Sequence, residues 1–254
     1  MPLLRVDDVV VQFGGVTAVN HANFEVEQGT VTGLIGPNGA GKTTCFNVIT
    51  GLQAPTSGRV LLNGKNITKM PVHRRARHGM GRTFQRLEAF GSLTVADNVR
   101  VAHEIHGGVR EALRTFEGSG DCEVEALLER VGITEYADER ADSVPTGTAR
   151  LLEVARALAC DPRLLLLDEP SSGLDEAETE AFGSLLLELA DEGRTILMVE
   201  HDMDLVMRVC HEIHVLDFGS IIAAGTPAEI RADAAVQKAY LGYSDVDETK
   251  ELAL

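Results

Sequence analysis

Apolar positions in this chain follow two rhythms. Near the start, LLRVDDVVV, ANFEVE, TVTGLIG and GRVLLNG are rich in β-branched residues and bounded by glycine or asparagine, which predicts short strands. Further along the rhythm is helical. Val124, Leu127, Leu128 and Val131 recur at i, i+3, i+4 and i+7, and Gly132 follows as a stop. Leu151, Val154, Ala155 and Leu158 repeat the pattern and end at Asp161-Pro162, and Phe182, Leu185, Leu186 and Leu189 form a third stripe. Between these helices lie RLLLLDEP and TILMVEHD, continuous apolar runs that read as strands buried on both faces. HVLDFG and SIIAAG predict a closing hairpin around Asp217–Ser220.

Buried strands alternating with amphipathic helices imply an α/β fold with a parallel sheet covered on both sides. The strand-rich start adds an antiparallel sheet. The stretch from about Glu88 to Ala159 reads as a helical insertion, and residues 243–254 as a polar, acidic, flexible tail.

Composition narrows the classes. The 254 residues, 44% hydrophobic and 24% charged, suit a globular chain of one or two domains. The net charge of −16 repels nucleic-acid phosphates, so no nucleic-acid partner is expected. No apolar run approaches the ~18–20 residues of a membrane helix. The first residues, MPLLRVDDVV, do not have the form of a secretory signal. Cys45, Cys122, Cys160 and Cys210 lack CxxC spacing and read as reduced thiols of a cytoplasmic protein. Contact with a membrane would come through docking on a partner.

Gly36-Pro37-Asn38-Gly39-Ala40-Gly41-Lys42-Thr43 fits G-x-x-x-x-G-K-[ST], between a predicted strand and a predicted helix. Glycines let successive N–H groups curl around a phosphate, and the helix N-terminus adds partial positive charge. Lys42 would reach the β- and γ-phosphates, and the Thr43 hydroxyl would ligate Mg²⁺. Thr44, on the same turn, completes the nucleotide-binding set. Leu164–Leu167 then deliver Asp168 and Glu169 to the C-terminal end of a buried strand, where open α/β sheets bind ligands. Asp168 would hold Mg²⁺ through water, and Glu169 would polarise the attacking water as general base.

With these motifs in order, the chain resembles the ATPase subunits of ABC transporters from about residue 3 to residue 242. The resemblance implies a RecA-like P-loop NTPase core with an antiparallel β subdomain and a helical signature subdomain at about 88–159. It implies that Phe13 stacks on adenine. In Thr83-Phe84-Gln85, Gln85 would touch Mg²⁺ and sense the membrane subunit. Ser171–Asp175 would form the D-loop, and His201, in Val199-Glu200-His201-Asp202, would contact the γ-phosphate. The implied activity is hydrolysis of ATP with Mg²⁺. It would be carried out on the cytoplasmic face of the membrane, with a second ATPase subunit and transmembrane permease subunits.

VVVQFGGVTAVNHANFEV, GRTFQ followed by LTVADNV, and VLDFGSIIAAGTPAEI…YLG resemble the ATPase of branched-chain amino acid importers, which also use a soluble solute-binding protein. Urea or amide import, lipopolysaccharide export and a weakly hydrolysing regulatory subunit are the alternatives.

One motif departs from the family. Where LSGGQ is usual, this chain reads Val144-Pro145-Thr146-Gly147-Thr148-Ala149-Arg150. Gly147 takes the central glycine position, which in the family meets the nucleotide held by the opposite subunit. Pro145 replaces the serine and has neither hydroxyl nor N–H. Each lost charge-assisted bond is worth roughly 1.5–3 kcal/mol. Thr146 or Thr148 would supply a substitute hydroxyl. A heterodimer with one stronger hydrolytic site is the arrangement this favours.

His73, Arg74, Arg75, Arg77 and His78, followed by Arg82, are the one basic cluster. It reads as a solvated helix face, with a partner or lipid headgroups as the alternative. HEIH occurs twice, at His103–His106 and His211–His214, without metal-site spacing. Cys45, just past the phosphate loop, reads as a small buried apolar residue.

Overall fold

The computed structural model describes residues 2–84, 88–115 and 119–239; Gln85 and the 243–254 tail lie outside the described residues. The spine is a six-stranded sheet. In spatial order its strands are β10 (Ser220–Gly225), β9 (Glu212–Asp217), β3 (Val31–Ile35), β8 (Thr195–Val199), β7 (Leu164–Asp168) and β6 (Met80–Arg82). β10 and β9 are antiparallel, and the other neighbours are parallel. Asp217 pairs with Ser220 across a two-residue turn whose Phe218 and Gly219 both have positive φ. That backbone twist matches the flanking strands.

A second, antiparallel sheet has the order β2 (Val16–Glu27), β1 (Pro2–Phe13), β4 (Ser57–Leu62) and β5 (Lys65–Asn66). Helices fill the rest: α1 (Lys42–Thr50), α2 (Val72–Arg77), α3 (Val95–Thr115), α4 (Ser119–Val131), α5 (Thr146–Leu158), α6 (Glu176–Asp191), α7 (Met203–Val209) and α8 (Pro227–Ala232).

The period-2 alternation of the buried strands sorts them between two cores. Leu164, Leu166, Leu197 and Val199 face Phe46 and Ile49 of α1 and the apolar face of the antiparallel sheet. Leu165, Leu167, Ile196 and Met198 face the opposite way, onto Leu151, Leu152 and Leu158 of α5 and Leu185, Leu186 and Leu189 of α6. A strand buried on both faces has no polar positions to spare, which is why these runs are continuously apolar. In α4, Val124, Leu128 and Val131 are buried at the expected spacing, and Gly132 follows at φ 77°.

The basic cluster is not one solvated face. His73, Arg74, Arg77 and His78 are exposed, but Arg75 is 2% exposed. Its guanidinium donates to Val48 O (2.7 Å) and Ile49 O (2.6 Å) at the end of α1, and to Met70 O and Thr68 O (2.8 Å each). The last carbonyls of a helix lack intrahelical donors, and a planar fork with five N–H groups satisfies several at once. Arg75 therefore locks the far end of the helix whose near end carries the phosphate loop.

His214, on β9, is 4% exposed; its Nε2 lies 3.0 Å from Glu25 O and its ring 5.2 Å from that of Phe24. Burial holds its pKa below the usual 6.5, only partly offset by the Glu25 carbonyl and the Glu212 carboxylate. The unfolded chain then binds the proton more readily than the folded one, so stability rises with pH through this range.

Two outcomes are expected. Arg75→Ala strands several buried carbonyls and lowers stability by about 3 kcal/mol, read from the urea unfolding midpoint. In the native chain part of the melting temperature is lost as pH falls below about 6.5, and His214→Gln flattens that dependence in thermal scans from pH 5 to pH 7.

Candidate functional site

The site lies along the C-terminal ends of β3, β7 and β8, neighbours in the central sheet. From β3 the chain enters Gly36–Gly41 and then α1. The loop is squeezed from two sides. A Cβ on Gly36 (φ 150°) would lie 1.9 Å from Leu216 O, and one on Gly41 (φ 104°) would lie 2.3 Å from Ala18 O. Only glycine tolerates both the conformation and the approach. The Gly219 N–H donates to Ala40 O at 2.9 Å, so the β9–β10 turn braces the loop. Gly41 is the N-cap of α1 and no side chain caps it, which leaves the positive end of the helix for a ligand. Pro37 is half-buried and Asn38, Gly39 and Thr43 are exposed, with Thr44 half-buried beside them.

Lys42 is 6% exposed, and its Nζ donates to Gly36 O (2.6 Å) and Pro37 O (2.9 Å). Burial lowers its pKa, and the Glu169 and Asp168 carboxylates work against that shift. The ammonium group therefore sits over the loop with Asp168, at the end of β7, and Glu169, just past it, in its field.

Asp168 ends β7 and is 2% exposed. Its N–H donates to Thr83 Oγ1 (3.2 Å), and its Oδ2 accepts from Arg82 Nη2 (3.1 Å). Its Oδ1 is buried with no hydrogen-bond partner among the described residues. Burial raises its pKa and Arg82 opposes the rise.

Glu169 takes a left-handed backbone, φ 51°, uncommon for a side chain of its size. Its N–H still donates to Val199 O at 2.9 Å. The turn aims its carboxylate at His201, where Nε2 and Oε1 are 2.9 Å apart. His201 is held at the start of α7, whose N-cap Asp202 accepts from Leu205 N–H at 3.0 Å.

Arg82 is the residue the sequence reading missed. Its side chain is 7% exposed. Besides Asp168, it donates to Asn47 Oδ1 (2.7 Å) and Thr50 Oγ1 (3.1 Å) on α1, and it lies over the rings of Phe84 (4.9 Å) and Phe46 (5.7 Å). One guanidinium thus joins β6, β7 and α1. The available signal was a lone cation in the short apolar stretch MGRTF.

Residues 85–87 are outside the description, but α5 grips both their flanks. Arg150 Nη1 donates to Phe84 O (2.8 Å), Glu153 Oε1 accepts from Glu88 N–H (2.6 Å), and Arg156 Nη1 donates to Glu88 O (2.9 Å). A cavity of about 610 Å³ opens beside these contacts, lined among others by Arg77, Phe84, Phe90, Ile105 and Cys160. Phe13 is 50% exposed at the end of β1, on the hairpin that brings Ala18 to the phosphate loop. Cys45 is fully buried, and burial pushes its thiol up to about 12.

The signature segment begins α5 with Pro145 as N-cap and no side-chain cap. Thr146 is exposed, whereas Thr148 is 3% exposed, so only Thr146 presents a hydroxyl at the surface. Gly147 packs against the Ser171–Asp175 loop of its own chain, where a Cβ would lie 2.8 Å from Gly173 O.

The chain matches the ABC transporter family over residues 19–172, and the branched-chain amino acid ATP-binding cassette transporter family over residues 220–246. It is 41% identical over 250 residues to the high-affinity branched-chain amino acid transport ATP-binding protein BraF of Pseudomonas aeruginosa, covering 95% of this chain and 98% of that protein. LivG of Escherichia coli, of the same description, is 40% identical with the same coverage. The lipopolysaccharide export system ATP-binding protein LptB of Haemophilus influenzae is 31% identical over 242 residues. Among solved structures, a nucleotide-free ATP-binding cassette from an ABC transporter superposes with a TM-score of 0.82 at 30% identity, covering 94% of this chain and 99% of that one. The ADP conformation of such a cassette superposes with a TM-score of 0.81 at 31% identity, covering 95% and 99%. The phosphate loop, the acid pair and these full-length likenesses agree: the chain belongs to the ABC transporter family, as an ATP-binding cassette that hydrolyses ATP to drive transport.

Proposed function

We propose that the chain energises import of branched-chain amino acids, bound to permease subunits at the cytoplasmic face of the membrane and paired with a second cassette. The solute assignment is supported by the 40–41% identity to BraF and LivG along nearly the whole chain, against 31% to the lipopolysaccharide exporter subunit. The observation that carries the chemistry is the meeting of Lys42, Asp168, Glu169 and His201 at the ends of three adjacent strands.

In this reading the backbone N–H groups of the Gly36–Thr44 loop, Pro37 excepted, and the Lys42 ammonium hold the β- and γ-phosphates, while Phe13 stacks on adenine. The donor set suits Mg²⁺: hard oxygens from the Thr43 hydroxyl and Asp168, whose Oδ1 has no hydrogen-bond partner among the described residues, with Gln85 as the third residue assigned. Bound there, Mg²⁺ would neutralise charge on the phosphate oxygens. Glu169 orients and deprotonates the attacking water. His201 exchanges its contact with Glu169 for one with the γ-phosphate as the substrate arrives. Phosphoryl transfer needs placement and charge more than covalent help, and these groups supply both.

The cavity beside α2 and α5 is the proposed seat of a permease segment. Phe90 and Ile105 offer exposed apolar surface there (47% and 74%), and the exposed cations of α2 adjoin it. Gly147 and Thr146 would meet the nucleotide of the second cassette. The missing donor at Pro145 weakens the partner's site and leaves this chain's own residues intact, which supports heterodimer over homodimer.

With the second cassette present, Glu169→Gln is expected to keep ATP binding, lower turnover by about 10²-fold or more and accumulate a closed dimer on gel filtration, whereas Lys42→Ala loses ATP binding itself. Equal turnover of the Glu169→Gln and unmodified proteins contradicts the base assignment. The chain alone should hydrolyse ATP slowly, and Pro145→Ser should raise that rate by about tenfold. Brisk cooperative hydrolysis by the unmodified chain alone contradicts the heterodimer.

A further inference from the structure

Glu200 is 4% exposed and immediately follows β8. Both of its oxygens are used on backbone amides from different segments. Oε1 accepts from Ser171 N–H at 2.8 Å, and Oε2 accepts from His201 N–H at 3.0 Å. The residue before it, Val199, accepts from Glu169 N–H at 2.9 Å. Residues 169–171 and 199–201 are therefore stapled together at two successive points, and the Glu169–His201 contact of 2.9 Å spans the same two segments.

The staple also reaches the signature region. Leu174 N–H donates to Ser171 O, and Gly173 packs against Thr146 and Gly147. The position of Ser171 thus bears on the loop that lies under the signature glycine.

We propose that Glu200 is a positioning residue, holding His201 in register with Glu169 through its second tether to Ser171. This rests on the assignment of Glu169 and His201 made above. The carboxylate suits the task because each amide-to-carboxylate bond is charge-assisted and both oxygens accept. A glutamine of the same shape accepts with one oxygen and turns an NH₂ toward the other N–H, so one of the two tethers fails. Aspartate keeps the charge on a shorter arm and cannot span both amides. Glu200 touches no reacting atom; its effect is on geometry, where a small misplacement of catalytic groups costs rate more than binding.

The test is a double-mutant cycle in the full chain with its partner cassette, using single-turnover hydrolysis to follow slow variants. Glu200→Gln should lower the rate about tenfold while changing KM and ATP affinity less than twofold. In a His201→Ala background the same substitution should lower the rate less than twofold further. Glu200→Asp should fall in the same direction as Glu200→Gln, which guards against a folding defect peculiar to one variant. Unchanged rates in both Glu200 variants overturn the proposal. So does an equal loss with and without His201, or a loss that tracks melting temperature and ATP affinity, since a merely structural carboxylate would give those. A His201→Ala protein with normal turnover would instead sink the assignment of His201 on which the proposal stands.

Discussion

Charge held out of water at one edge of the sheet is the constraint on which the rest depends. Lys42 and Asp168 are 6% and 2% exposed, and neither could stay charged there without compensation. Burial pushes the lysine pKa down and the aspartate pKa up, toward the neutral forms. The opposing field comes from neighbours: Glu169 and Asp168 act on Lys42, and Arg82 acts on Asp168. The arginine that steadies Asp168 also binds Asn47 and Thr50 of α1, the helix that starts with Lys42. Electrostatic balance and element placement are thus the same set of contacts.

That balance explains the local oddities. The phosphate loop is glycine-rich because two backbone carbonyls, Leu216 O and Ala18 O, press against it where Cβ atoms would go. Glu169 leaves the strand in a left-handed conformation, which directs its carboxylate to His201 while its N–H still finds Val199 O. Strain of this kind persists where surrounding bonds over-determine it, and functional sites are where it gathers.

The core was legible in the sequence because its constraints are local. Leu164–Leu167 reads as a strand covered on both faces, and the stripe from Phe182 to Leu189 as one face of a helix. The Gly36–Thr43 motif announced itself because its tight backbone curvature demands glycine. What stayed hidden depends on tertiary partners. Arg75 looked like its exposed neighbours Arg74 and Arg77, since nothing in the local pattern reveals that it meets the carbonyls of α1, and Arg82 was grouped with them although its apolar flanks set it apart. The two threonines beside Gly147 were equivalent on paper. Packing of α5 buries Thr148 and leaves Thr146 at the surface.

The central claim is that the buried Asp168 carboxylate, braced by Arg82, is built to share Mg²⁺ with a nucleotide. Calorimetric titration of ATP with and without Mg²⁺, in the native chain and in Asp168→Asn, tests it most directly. The account predicts that Mg²⁺ tightens ATP binding about tenfold or more in the native chain, and that Asp168→Asn erases this gain while leaving metal-free binding in place. The same Mg²⁺ gain in both proteins would contradict it.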